Sequence, residues 1–204
     1  MTTRILEMAT TPGSARRTAM TVAAAHLLIE HGPAAITHRR VAEAAGIPAG
    51  SANAIFRSRD ELYAAAVSAA EGIRNEAGAK FARELSPQSR NSLDTAGLLL
   101  ATWYAPHLDR NLVKARLEPM LSASTDPALQ TIMRASRPHL LANLETVLQR
   151  SGHAAFTDVE LLAQVIDGSL LYAASLGEPD PRDAAAKAIA RLLNLAPEGA
   201  SDSL

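Results

Sequence analysis

The sequence predicts an all-α protein of about nine helices, with a three-helix N-terminal unit over residues 14–62 and a larger helical domain over residues 63–197. Three observations lead there. Apolar residues recur at helical spacing nearly everywhere, and no run alternates β-branched with polar residues. Alanine, the strongest helix former, supplies much of a hydrophobic fraction of 48%. Cap and stop residues divide the pattern at short intervals.

Met20, Ala23, Ala24, Leu27, Leu28 and His31 follow an i, i+3, i+4 rhythm, and Gly32 with Pro33 ends that first helix. Thr37 is placed to cap a second helix reaching Ala45, with Val41, Ala42 and Ala45 on its inner face. A stub of a third helix runs from Gly50 to Phe56, after the break at Gly46, Ile47 and Pro48. Ser58 and Glu61 form an S-x-x-E capping box that opens a long fourth helix toward Arg83. Further helices are expected over 90–105, 109–123, 127–150, 158–176 and 181–195. Asp126–Pro127 and Asp180–Pro181 put a cap ahead of a first-position proline, Thr157 and Glu160 form a second capping box, and Gly152 and Gly177 mark stops. Residues 1–13 and 198–204 read as flexible tails.

Composition excludes several classes. With 20 basic and 21 acidic side chains, net charge selects no partner. The absence of cysteine rules out disulfides and thiolate metal sites. The histidines are scattered, and there is no zinc-protease motif, phosphate loop or GxSxG elbow, so neither catalytic residues, a metal nor another cofactor is expected. The apolar run at 96–105 is too short to cross a bilayer, and the run at 161–176 carries Gln164 and Asp167. The opening "MTTRILEMATTPGSARR" lacks the apolar core of a signal peptide. A cytoplasmic chain without a membrane partner is expected.

Helix, glycine turn, stub helix over "VAEAAGIPAGSANAIFRSRDELY" is the helix-turn-helix arrangement, whose second helix enters the major groove of DNA. Small side chains let that helix approach the duplex closely. Ala49, Gly50, Ser51, Asn53 and Ala54 are expected to face DNA, while Ala52, Ile55 and Phe56 pack inward. Thr37, Arg39 and Arg40 on one side and Arg57 and Arg59 on the other are placed to meet phosphates. Asn53 has the donor–acceptor pair that matches an adenine edge, and Ser51 suits a base or a phosphate. Residues 14–63 hold six basic against four acidic side chains, a modest surplus.

These residues resemble the TetR family of transcriptional regulators. The match runs from Arg17 to Leu62, on Gly32, Thr37, Arg39, Val41, Ala42, Ala45, Gly46, Ile47, Gly50, Ser51, Phe56, Arg59, Glu61 and Leu62. Two positions depart from it: Asn53 stands where the family usually has an aromatic that commonly touches a phosphate, and Ile55 where it often has Tyr or His. Arg59 replaces the more usual lysine and adds a bidentate fork. The resemblance implies a homodimer on a near-palindromic operator, released by a small-molecule effector, with repression as the usual sign of control.

It also implies an effector pocket and a dimer interface in the second domain. Trp103, His107, Arg116, Met120, Met133, Arg137 and Asp167 are the candidate effector contacts, since aromatic and thioether groups suit an apolar cavity and a few polar groups orient a guest. Tyr104, Glu118 and His139 lie nearby in sequence. For dimerisation, Leu162, Val165, Ile166, Ser169, Leu170 and Ala173 cover more of one helix than a single core face needs, and Ala185, Ile189 and Leu192 form a stripe on the last helix. Two such helices and their symmetry mates make a four-helix interface. Two rival readings remain: a helical ligand-binding dimer without DNA binding, supported by the missing aromatic at Asn53, and an all-helical enzyme, for which no acid–base pair is spaced correctly.

Overall fold

The computed structural model describes residues 12–106 and 116–195. Among them the chain forms nine α-helices and no strand: α1 (Pro12–His31), α2 (His38–Ala44), α3 (Ala49–Ile55), α4 (Arg59–Glu84), α5 (Ser92–Trp103), α6 (Glu118–Ala123), α7 (Pro127–Arg150), α8 (Val159–Ser175) and α9 (Pro181–Leu195). A 3-10 turn, Pro33–Ala35, joins α1 to α2. The tails expected over 1–13 and 198–204 lie outside the described residues, apart from Pro12 and Gly13, which open α1. The helix expected over 109–123 is described only from Arg116, and His107 lies outside the described residues.

The helix starts are set by side chains that accept the orphan backbone N–H groups of the first turn. Thr37 accepts from the Arg40 amide at 3.3 Å, Ser58 from Glu61 at 3.0 Å, and Asp126 from Ala128 and Leu129 at 2.9 and 3.2 Å. Asp180 accepts from Arg182 at 3.0 Å. The cap of α8 differs from the expectation: Asp158, one residue after Thr157, accepts from the Leu161 amide at 2.9 Å. An ionised carboxylate is the stronger acceptor there, and Glu160 is drawn away to Arg137.

Two cores result. In the N-terminal unit, Met20, Ala24 and Leu28 of α1 pack on Val41 and Ala42 of α2, Ala52 and Phe56 at α3, and Leu62, Ala66 and Val67 of α4. Ala123 of α6 and Leu129 of α7 belong to the same core, so the N-terminal unit rests directly on the second domain. The other core gathers Leu99, Trp103 and Tyr104 at α5 with Leu144, Val147 and Leu148 of α7, Leu162, Ile166 and Leu170 of α8, and Ala185, Ile189 and Leu193 of α9.

That second core corrects the expected interface set. Leu162, Ile166, Leu170, Ala173, Ala185 and Ile189 are buried inside the single chain, while Val165, Ser169 and Leu192 are half-buried. The most apolar face of a helix goes to its own chain's core first, because that contact carries no association cost. The exposed face of α8 instead presents Leu161, Gln164, Gly168, Leu171 and Tyr172, with Leu176 just past its end.

Gly78 fixes how closely α4, α5 and α7 approach. A Cβ there would lie 2.8 Å from the Thr102 carbonyl oxygen and 3.2 Å from Asn143 Nδ2. Gly78→Ala is therefore expected to cost about 1–2 kcal/mol in urea unfolding, overpacking outweighing the gain in helix propensity. Within α7, Pro138 has no N–H and so withholds the helical hydrogen bond from the Arg134 carbonyl.

Candidate nucleic-acid interface and ligand cavity

The break between α2 and α3 is made by Gly46 at φ +67°, a conformation that favours glycine. The Ile47 amide donates back to the Ala42 carbonyl at 2.8 Å, and the half-buried Ile47 side chain packs against the core beneath the turn. This turn holds α3 on the surface. Ala52 and Phe56 are fully buried and Ile55 half-buried, leaving Gly50, Asn53 and Ala54 exposed and Ser51 partly so. Ala49 is the first residue of α3.

Arg39 and Arg40 on α2 are exposed, with no side-chain partner among the described residues, and Arg57 after α3 is exposed with its charge near the Glu61 carboxylate. Arg59 differs, since its Nε donates to the Ile36 carbonyl at 3.2 Å. It walls a recess of about 350 Å³ between the N-terminal unit and the turn from α6 to α7, together with Tyr63, Ser122 and Asp126.

Two residues that sequence reasoning passed over tie this head together. Arg17 of α1 donates to the Ile55 carbonyl at 2.7 Å and to Glu61 at 2.8 Å, with its guanidinium 4.2 Å from the Phe56 ring centre. It thus places a cation at the C-terminus of α3, where the helix dipole favours one. The Arg17 hydrogen bond, then the Arg57 amide, hold the Glu61 carboxyl below its usual pKa. Glu61 reaches back to Arg57 rather than to its own N-cap, Ser58. His38 of α2 pairs with the Phe56 carbonyl at 2.9 Å.

In the second domain, four of the expected effector residues share one cavity. Arg116, Met120, Met133 and Arg137 line about 340 Å³ between α6 and α7, together with Ala123, Gln130, Arg134 and Leu140. Trp103 and Asp167 lie behind it in the core. Trp103 Nε1 donates to Asp167 at 2.7 Å and Tyr104 Oη at 3.0 Å. The Arg116 guanidinium lies 5.5 Å from the Trp103 ring. Burial, then the Asp167 charge, pushes the Tyr104 phenol well above its usual pKa and keeps it a donor.

The residue sequence reasoning missed here is Glu71, fully inside α4. Arg116 and Arg74 both donate to its Oε1, and Ser136 donates to its Oε2 at 2.8 Å. Burial raises the Glu71 carboxyl, but the charges of Arg116 and Arg74 and these hydrogen bonds outweigh it and leave it below its usual range. The signal was present, because Ala66, Val67, Ala70, Glu71, Arg74, Gly78 and Ala82 form one inward stripe at helical spacing. Glu71 also borders a groove of about 740 Å³ between α4 and α7, so the Glu71–Arg116 pair stands between groove and cavity. No cluster of side chains suited to a metal occurs among the described residues, and none of their helices is long and apolar enough to cross a membrane.

Comparison with known proteins agrees with this architecture. Residues 21–66 match the family model for bacterial regulatory proteins of the tetR family. Residues 89–195, over half the chain, match the model for the tetracyclin repressor-like C-terminal domain. Among solved structures, the chain is similar to the multidrug binding protein EbrR complexed with proflavin, at 26% identity and TM-score 0.60 over 87% of this chain and 99% of that one. A TetR transcription regulator from Haloarcula marismortui shares the fold at 20% identity and TM-score 0.62, over 89% of this chain and 97% of that one. A search of curated proteins found no match. With a head that presents α3 and a C-terminal helical domain that holds a cavity, the chain belongs to the tetR family of bacterial regulatory proteins, DNA-binding transcription regulators that respond to ligands.

Proposed function

We propose that the protein is a repressor that binds a near-palindromic operator as a homodimer and is released when a small molecule fills the cavity between α6 and α7. One observation carries the release step. Ala123 and Met133 line the cavity and at the same time pack in the core of the N-terminal unit. A guest that displaces them acts on the packing that holds α1 and α4 in place. Packed cores respond by shifting between discrete arrangements rather than by yielding smoothly, so a small displacement changes the seat of the head. Small-molecule binding by EbrR, whose complexes contain proflavin and ethidium, supports a guest of drug size. A ligand shifts the equilibrium only by its difference in affinity for the two states, and a 100-fold change in operator affinity requires about 2.7 kcal/mol.

Docking would lay Gly50, Ser51, Asn53 and Ala54 against base edges, with Thr37, Arg39, Arg40 and Arg57 on flanking phosphates. Asn53, exposed on α3, is placed to meet a base edge or a phosphate. Pairing would use the exposed side of α8, where Tyr172 is 67% and Leu176 is 62% accessible, and the half-buried Val165, Ser169 and Leu192. Apolar side chains this exposed and this regularly spaced mark an interaction surface.

Selection of bound fragments from random DNA tests the reading. The expected product is one near-palindromic motif, and Leu171→Glu with Tyr172→Glu is expected to give a monomer that no longer enriches it. Recovery of no motif would favour the ligand-binding dimer without DNA binding.

A further inference from the structure

We infer that the cavity between α6 and α7 selects an amphipathic anion, a carboxylate on an apolar body. The inference rests on the effector reading above and assigns its guest a chemical class.

The lining residues are apolar, cationic or, at Ser124 and Gln130, neutral and polar, and none is acidic. Met120, Met133, Leu140 and Ala123 offer carbon and sulfur surface, and Arg116, Arg134 and Arg137 supply three guanidinium groups, while no carboxylate lines the space. Two of these cations are each already paired with a different acid that lies outside the cavity lining. Arg137 donates to both oxygens of Glu160, with Nε at 2.9 and 3.0 Å and Nη2 at 2.6 Å, and Arg116 is held by Glu71. Arg134 has only the neutral Gln130 amide oxygen, at 3.2 Å.

Arg116 supplies the second, independent sign. It is 3% exposed, and its buried Nε–H has no acceptor. A buried donor without an acceptor is destabilising, and a guest oxygen placed there would remove that cost. An anionic head near Arg134 and Arg116 would therefore meet one unpaired charge and one unpaired donor. An ammonium group would meet Arg134, which has no acid to offset it, and would find no carboxylate in the lining to attract it. The apolar body would lie along Met120 and Met133, whose thioethers adapt to irregular guests.

The same placement reaches α4. An anion on Arg116 competes with Glu71 for that guanidinium, so binding loosens the contact between the cavity wall and the helix that carries the head.

The test uses three probes of equal chain length, decanoate, decan-1-ol and decyltrimethylammonium, at concentrations below micelle formation. Binding is read by calorimetry and by fluorescence of Trp103, the chain's single tryptophan, over whose ring Arg116 lies. Decanoate is expected to bind at least tenfold more tightly than either other probe. Arg134→Gln, an exposed change that spares the core, is expected to reduce that preference severalfold by weakening decanoate more than decan-1-ol. Equal binding of the three probes, a preference for the cation, or an Arg134→Gln protein with its preference intact overturns the inference. A gel shift with the selected operator separates the two proposals. If the cation binds and releases DNA, the effector reading stands and the anion assignment fails. If decanoate binds with the stated preference but leaves DNA in place, the cavity chemistry stands and the release reading fails. If no probe binds, both fail.

Discussion

Glu71→Gln is expected to lower the unfolding free energy by about 3–5 kcal/mol, because it removes the buried carboxylate to which both Arg74 and Arg116 donate. The side chain keeps its volume and its place beside Ser136, so the loss reports charge rather than a cavity. For a chain of this size the corresponding fall in Tm is roughly 6–20 °C. Denaturant unfolding of the two proteins side by side measures it. The pH dependence has a definite sign. The folded-state pKa of Glu71 is depressed, so its stabilisation is present above the unfolded-state value of about 4.3 and is lost as the pH falls below it toward the folded-state value. The wild-type protein should therefore lose stability on acidification below that value more steeply than Glu71→Gln. Equal stability of the two proteins at neutral pH would show that Arg74 and Arg116 do not depend on this carboxylate.

The second large effect is on DNA. Arg39 is exposed and has no side-chain partner among the described residues, so Arg39→Ala leaves the fold intact. In the proposed dimer two charge-assisted contacts would be lost at about 1.5 kcal/mol each, together about 3 kcal/mol, or roughly 100-fold in operator affinity. Each lost phosphate contact also reduces the salt dependence, by about 0.9 in the slope of log K against log salt. A gel-shift titration at several salt concentrations reads both quantities. Unchanged affinity would move the docking face away from α2.

The local features of the fold were the most legible in the sequence. Thr37, Ser58, Asp126 and Asp180 cap the helices they precede, and Gly46 turns the chain between α2 and α3, because each acts on backbone within a few residues of itself. Less could be read where two faces of one helix compete. On α8 both sides are apolar, with Leu162, Ile166 and Leu170 inside and Leu161, Leu171 and Tyr172 outside, and the period alone does not say which side meets the chain's own core. Contacts between distant positions were the least legible. Glu71 and Arg116 are 45 residues apart, and Arg17 and Glu61 are 44 apart, so neither pair follows from spacing. The convergence of Met120, Met133, Arg116 and Arg137 on one cavity follows from the packing of α6 on α7 rather than from any motif.

The central claim is that the exposed face of α3 enters a DNA groove, and a charge placed on that face tests it most directly. Gly50 has open space where a side chain would project, and Asn53 is exposed, so Gly50→Asp and Asn53→Asp spare the core. Gel shifts of each variant against the selected operator, with thermal unfolding as the control for folding, should show about a 100-fold or greater loss of affinity from repulsion between the new carboxylate and the phosphates, at nearly unchanged Tm. Wild-type affinity in either well-folded variant would contradict the account.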